Sequence, residues 1–114
     1  MALFLIIEPH EEIRPLYTAV IRGLGHEAVF FEAGAIARPD VLLVEPAYPE
    51  PFEAARRLRL AHPDLPIVCA SIHEPIREEV QVLRPSTYLL KPFSLVELRD
   101  ALQLALSHRD LLSD

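Results

Sequence analysis

Lysine is almost missing from this chain: ten of its eleven basic residues are arginine, and Lys91 stands alone. Against seventeen acidic residues the balance is a net charge of −6, so there is no basic field to displace counterions from phosphates. Nucleic acid is excluded as the main partner. Cysteine also occurs once, and Cys69, with no second thiol to pair with and an apolar run around it, reads as a small buried thiol in a reducing cytoplasm. Long apolar runs are lacking too. The N-terminal one, residues 2–7, gives way at once to Glu8 and Pro9, too soon for a signal-peptide core or a membrane span. A soluble, cytoplasmic protein without a membrane partner is expected. Glycine is scarce, and Gly23, Gly25 and Gly34 flank the second apolar run instead of following the first, where a phosphate cradle would need them. Asparagine is absent, which with eleven prolines hints at a thermophilic source, although genome base composition produces the same bias.

What is present is globular. Of 114 residues, 51% are hydrophobic and 25% charged, enough for the core of one domain, and no effector domain is expected after it. Residues 3–7, 41–44, 67–70 and 88–90 are solid apolar runs without alternation, the pattern of strands buried on both faces. Residues 27–31 read as a further strand after the stop signal of Gly23 and Gly25.

Between the strands lie helical patterns. Ile13, Leu16, Tyr17, Val20, Ile21 and Leu24 share one face of a helix expected to start near Glu11 or Glu12, with Pro15 in its first turn. Residues 32–40 are too few for a full crossover helix, so a single turn or none is expected there. Residues 52–61 turn Phe52, Ala55 and Leu58 inward, with Arg56, Arg57 and Arg59 on the outer, solvated face. Ile76, Val80 and Leu83 mark a short fourth helix opened by Pro75. Ser94 and Glu97 form a capping box for the last helix, to about His108, with Leu95, Leu98, Ala101, Leu102 and Ala105 inward and Val96, Leu104 and Leu111 off that face.

Strands alternating with helices give an α/β fold, an open parallel sheet wound on both faces. Ligands of such sheets sit beyond the carboxyl ends of the strands. Those ends carry Glu8, Glu45, Ser71 and Lys91, so two carboxylates, a hydroxyl and an amine are expected to meet in one pocket. The five histidines, His10, His26, His62, His73 and His108, have no paired ligand spacing, and His10 is nearest that pocket.

The runs Leu-Phe-Leu-Ile-Ile-Glu ending at Glu8, Pro-Asp-Val-Leu-Leu-Val-Glu ending at Glu45, Leu-Pro-Ile-Val starting at Leu65 and Tyr-Leu-Leu-Lys-Pro-Phe ending at Phe93 resemble response-regulator receiver domains, the CheY-like modules of two-component signalling. The resemblance covers essentially the whole chain. It implies a five-stranded sheet in the order 2-1-3-4-5 and a cis bond before Pro92. It also places Glu45 at the phosphoacceptor aspartate, Ser71 and Lys91 at the usual hydroxyl and lysine, and Tyr88 at the switch aromatic. Two departures matter. Pro9 replaces the second member of the acidic pair that holds magnesium, and glutamate replaces the acceptor, one methylene too long for in-line attack.

The expected function is therefore a degenerate receiver, not an enzyme, with no cofactor and weak or absent magnesium binding. In it Glu45 either imitates the phosphorylated state, through Lys91 or Ser71, or is merely neutralised by Lys91. Its partners would be proteins, such as a histidine kinase or another regulator, or a second copy through the fourth helix, fifth strand and last helix. The alternatives are a working phosphoacceptor regulator and, with less support, a flavodoxin-like binder or enzyme. A sugar-phosphotransfer domain would need a cysteine where Glu8 stands.

Overall fold

A computed structural model describes residues 1–31, 38–73 and 77–112. The apolar runs assemble side by side: β1 (Leu3–Ile7), β2 (Glu27–Phe30), β3 (Val41–Val44), β4 (Ile67–Ser71) and β5 (Thr87–Leu90) form one parallel sheet in the order β2-β1-β3-β4-β5. The three central strands, β1, β3 and β4, are almost wholly buried, whereas the edge strand β2 alternates exposed and half-buried residues. Solid runs mark strands covered on both faces, and alternation marks the edge.

Alternate residues along each strand face opposite layers. Phe4, Ile6, Val41, Leu43, Val68 and Ala70 join Tyr17 and Ile21 of α1 (Arg14–Gly23) and Leu98, Ala101, Leu102 and Ala105 of α4 (Leu95–Leu112). Leu5, Ile7, Leu42, Val44, Ile67 and Cys69 join Ala55 and Leu58 of α2 (Pro49–Ala61) and Leu83, which follows α3 (Arg77–Gln81). The two layers make the winding double-sided.

Four details differ from the sequence reading. Glu11 and Glu12 belong to a 3-10 turn, Glu11–Ile13, and the α-helix starts only at Arg14, which puts Pro15 in its first turn. Helix α2 starts at Pro49 instead of Phe52, because Pro49 and Pro51 occupy a first turn whose N–H groups have no helical acceptor. Arg59 is buried, not on a solvated face. Its guanidinium reaches under the end of α2 and donates to the carbonyls of Leu83 at 2.7 Å, Pro63 at 2.8 Å, His62 at 3.2 Å and Arg84 at 3.3 Å. Leu95 is 59% exposed, since a groove of about 600 Å³ between α1 and α4 lies there, lined by Val20, Leu24, Leu95 and Val96.

The capping box of α4 forms as read: the Glu97 N–H donates to Ser94 Oγ at 3.0 Å and the Ser94 N–H to Glu97 Oε1 at 3.2 Å. The helix then runs on past His108 to Leu112. The expected short or missing helix between β2 and β3 falls on residues 32–40, of which 32–37 lie outside the described residues. So do Gly34, Pro75 and Ile76. Among the described residues, no helix is long and apolar enough to cross a membrane.

Candidate functional site

Parallel pairing brings the carboxyl ends of the strands level, with Ile7 opposite Val44, Val44 opposite Cys69 and Ser71 opposite Leu90. Two main-chain bonds carry the alignment one residue further. The Glu45 N–H donates to the Ile7 carbonyl at 3.0 Å, and the Lys91 N–H donates to the Ser71 carbonyl at 2.8 Å. The backbone thus sets Glu8, Glu45, Ser71 and Lys91 around one rim. The Lys91-Pro92 bond that follows is cis.

Lys91 chooses between two acids. Its Nζ donates to Glu8 Oε1 at 2.5 Å and stands 4.0 Å from Glu45 Oε1, with its side chain only 11% exposed. Glu8 is fully engaged. Tyr17 Oη also donates to its Oε1, at 3.3 Å, while Oε2 takes the His10 main-chain N–H at 3.3 Å and the His10 ring at 3.0 Å. A carboxylate only accepts, so His10 Nδ1 carries a proton, and in the neutral ring Nε2 then accepts from Tyr48 Oη at 3.1 Å. Arg14 fixes the backbone here by donating twice to the Glu8 carbonyl, at 2.9 and 2.7 Å.

Glu45 is the opposite case. It is 1% exposed, and neither carboxylate oxygen has a hydrogen-bond partner among the described residues. Burial pushes its pKa above the ordinary carboxylate range. The Ser71 hydroxyl and then Lys91 pull it down, Glu8 adds to the rise, and the Ala47 amide pulls down slightly. Burial wins because the Ser71 hydroxyl is near enough to favour the charged form but makes no hydrogen bond of normal geometry to it. The same dry surroundings push the Cys69 thiol up to about 12, so it is not a nucleophile. Tyr17 is raised further still, by burial first and then by Glu8, and stays a neutral donor.

Ser71 Oγ accepts the His73 N–H at 3.1 Å, and Tyr88 Oη donates to the His73 carbonyl at 2.8 Å. The residues after β4 are therefore held between the rim and a tyrosine on β5. Pro9 contributes no side-chain donor and is exposed. Sequence reasoning placed Tyr17 in the core through its helical spacing and missed its hydroxyl on Glu8. It missed Tyr48 altogether, since nothing in the spacing of the loop after Glu45 marks a residue that reaches His10.

No protein-family model matches the chain, and no curated protein matches it. Solved structures do. A CheY-like response regulator receiver domain protein from Methanospirillum hungatei JF-1 superposes with a TM-score of 0.80 at 12% identity, covering 96% of this chain and 97% of that one. The signal receiver domain of a modulated diguanylate cyclase from Desulfovibrio desulfuricans G20 gives 0.77 at 24% identity, covering 97% and 98%. The chemotaxis protein CheY4 of Vibrio cholerae gives 0.78 at 22%, covering 92% and 98%. With its sheet order, its cis Lys91-Pro92 bond and these matches along nearly its whole length, the chain has the fold of CheY-like response-regulator receiver domains.

Proposed function

We propose that this chain is a receiver-like signal-transduction module that works through protein–protein contacts and is not phosphorylated. The observation that carries the reading is the commitment of Lys91 to Glu8, at 2.5 Å, instead of to the acceptor position, at 4.0 Å. Phosphoryl transfer is catalysed by positioning and by cations held on the phosphoryl oxygens. Here the one lysine is engaged elsewhere, and the acceptor is a glutamate whose extra methylene displaces the attacking oxygen. The residues present do not fit magnesium either. Glu8 spends both oxygens on Lys91, Tyr17 and His10, and Pro9 offers none, which leaves Glu45 as a lone carboxylate. Magnesium asks for more oxygen donors in near-octahedral array.

Without phosphoryl chemistry the output is binding, and the module is not an enzyme. A histidine kinase or another regulator is the expected class of partner. Self-association would use the face of α3, β5 and α4, where Val82, Leu90 and Leu104 are about half exposed.

One observation favours a working phosphoacceptor instead: neither carboxyl oxygen of Glu45 has a hydrogen-bond partner among the described residues, so in its ionised form neither is committed elsewhere. Incubation with a small acyl-phosphate donor and magnesium, followed by intact mass, separates the two. No added phosphoryl group is expected. A stable increment that disappears in Glu45→Gln sinks the reading and establishes the acceptor.

A further inference from the structure

Two buried carboxyl groups share one ammonium group in this pocket, and only one of them is served. We propose that Glu8 and Glu45 form a one-proton carboxyl pair around Lys91, with the proton on Glu45, and that losing it draws Lys91 and the Ser71 hydroxyl onto Glu45 and resets residues 71–73. This rests on the non-phosphorylated reading above, and makes the proton the pocket's input.

The argument is geometric. An ionised Glu45 would be a buried charge with no hydrogen-bond partner among the described residues, whereas a protonated one is a small polar group in a tolerable place. Glu8 has no need of the proton, because Lys91, Tyr17 and His10 already satisfy its charge. When Glu45 gives its proton to bulk water, two donors are in reach. Lys91 Nζ, at 4.0 Å, has only to shift until it bridges both acids. The Ser71 hydroxyl, whose oxygen now accepts from His73 N–H, has its own hydrogen to give. Swinging the Ser71 oxygen toward Glu45 by rotation about Cα–Cβ pulls on the His73 amide, and the His73 carbonyl is what Tyr88 holds. A change at a wholly buried carboxyl thus reaches a tyrosine that is part of the surface.

Every titratable neighbour has a place in this account. Glu8 follows β1, with His10 behind it and Tyr48 behind that; Tyr17 comes from α1; Ser71 and Cys69 come from β4, with His73 just after it; Tyr88 comes from β5; Lys91 comes from the turn after it. Arg14 and Glu50 border Glu8 across a separate small cavity. Cys69, Tyr17 and Tyr88 all have pKa values raised by burial and stay neutral, which leaves two imidazoles, that of His10 and that of His73 itself, as the competing sources of a proton-dependent signal.

Carbon-detected NMR of the glutamate carboxyls in the full chain, followed through a pH titration with no phosphodonor present, tests the proposal. Glu45 is expected to titrate above the exposed Glu11 and Glu12, with the His73 amide and the Tyr88 ring moving at the same midpoint. Ser71→Ala is expected to keep the Glu45 step and lose the His73 and Tyr88 response. Glu45 titrating together with Glu11 and Glu12 overturns the proposal. So does a His73 and Tyr88 step that survives in Glu45→Gln, because it then belongs to the His10 or His73 imidazole. A Glu45 midpoint moved by magnesium at constant ionic strength also overturns it, by making the pocket a cation site. An acyl phosphate found by mass would fail the signalling reading while the titration stands or falls on its own.

Discussion

Lys91 carries more of the structure than its place in a turn suggests. Removing the ammonium leaves Glu8 as a buried charge held only by neutral donors, and breaking a buried pair from one side commonly costs about 3–5 kcal/mol. Tyr17 and His10 still donate to Glu8, so Lys91→Met is expected to lose about 3 kcal/mol, read as a lower urea midpoint at unchanged slope. Lys91→Met combined with Glu8→Gln is expected to recover most of it, since no net charge then stays behind. If the double variant is as unstable as the single, the lysine acts through packing and not through charge. Sequence alone gave good access to this residue: one lysine after an apolar run and before a proline is a visible singularity. It gave none to the choice between Glu8 and Glu45, which turns on distances of 2.5 and 4.0 Å that no spacing encodes.

At the level of elements, hydrophobic patterning located every described strand and most helices, because sheet burial writes itself as solid apolar runs. It failed at Arg59. A charged residue beside Arg56 and Arg57 reads as solvated, yet this one is buried where α2 ends and has no carboxylate partner among the described residues, only carbonyls. The neighbours differ in kind: Arg56 and Arg57 pair with Glu53 on the outer surface. Arg59 ties the end of α2 to the turn between α3 and β5, where Arg84 has a left-handed backbone with φ of 48°. Arg59→Met would orphan those carbonyls at about 1–3 kcal/mol for a buried group, so a loss of about 2–3 kcal/mol is expected in denaturant unfolding. Arg59→Lys should restore only part of it, because an ammonium cannot reach four acceptors as a planar fork does. Full restoration by lysine would show that charge, not the fork, is what the turn requires. Leu95 failed for a different reason. Helical periodicity fixes the face of a residue but not where the neighbouring helix stops covering it.

For the whole molecule, the pocket makes stability depend on pH in an unusual direction. A carboxyl whose pKa is raised by folding binds its proton more tightly in the native state than in the unfolded one. Its stabilising contribution is complete below the ordinary unfolded carboxylate pKa and is lost as pH climbs through the raised native value. Glu45→Gln cannot ionise. Its stability relative to the natural chain is therefore expected to increase with pH across that window, as seen in urea midpoints at a series of pH values. A constant difference would mean that folding leaves the affinity of Glu45 for its proton unchanged. The parallel fold was legible in strand runs and crossover lengths, and so was the meeting of four polar residues at one end of the sheet. The protonation economy was not, since it follows from dry packing around residue 45 and from hydroxyls contributed by Tyr17 and Tyr48.

The bond from Lys91 to Glu8 joins positions 83 apart in sequence. A nascent chain that has emitted the first strand must keep that acid hydrated until the far edge of the sheet delivers its counterion, so the centre of the sheet cannot close dry ahead of its margin. Early assembly without β5 is thereby penalised, and the pocket is completed only once the last strand of the sheet is in place.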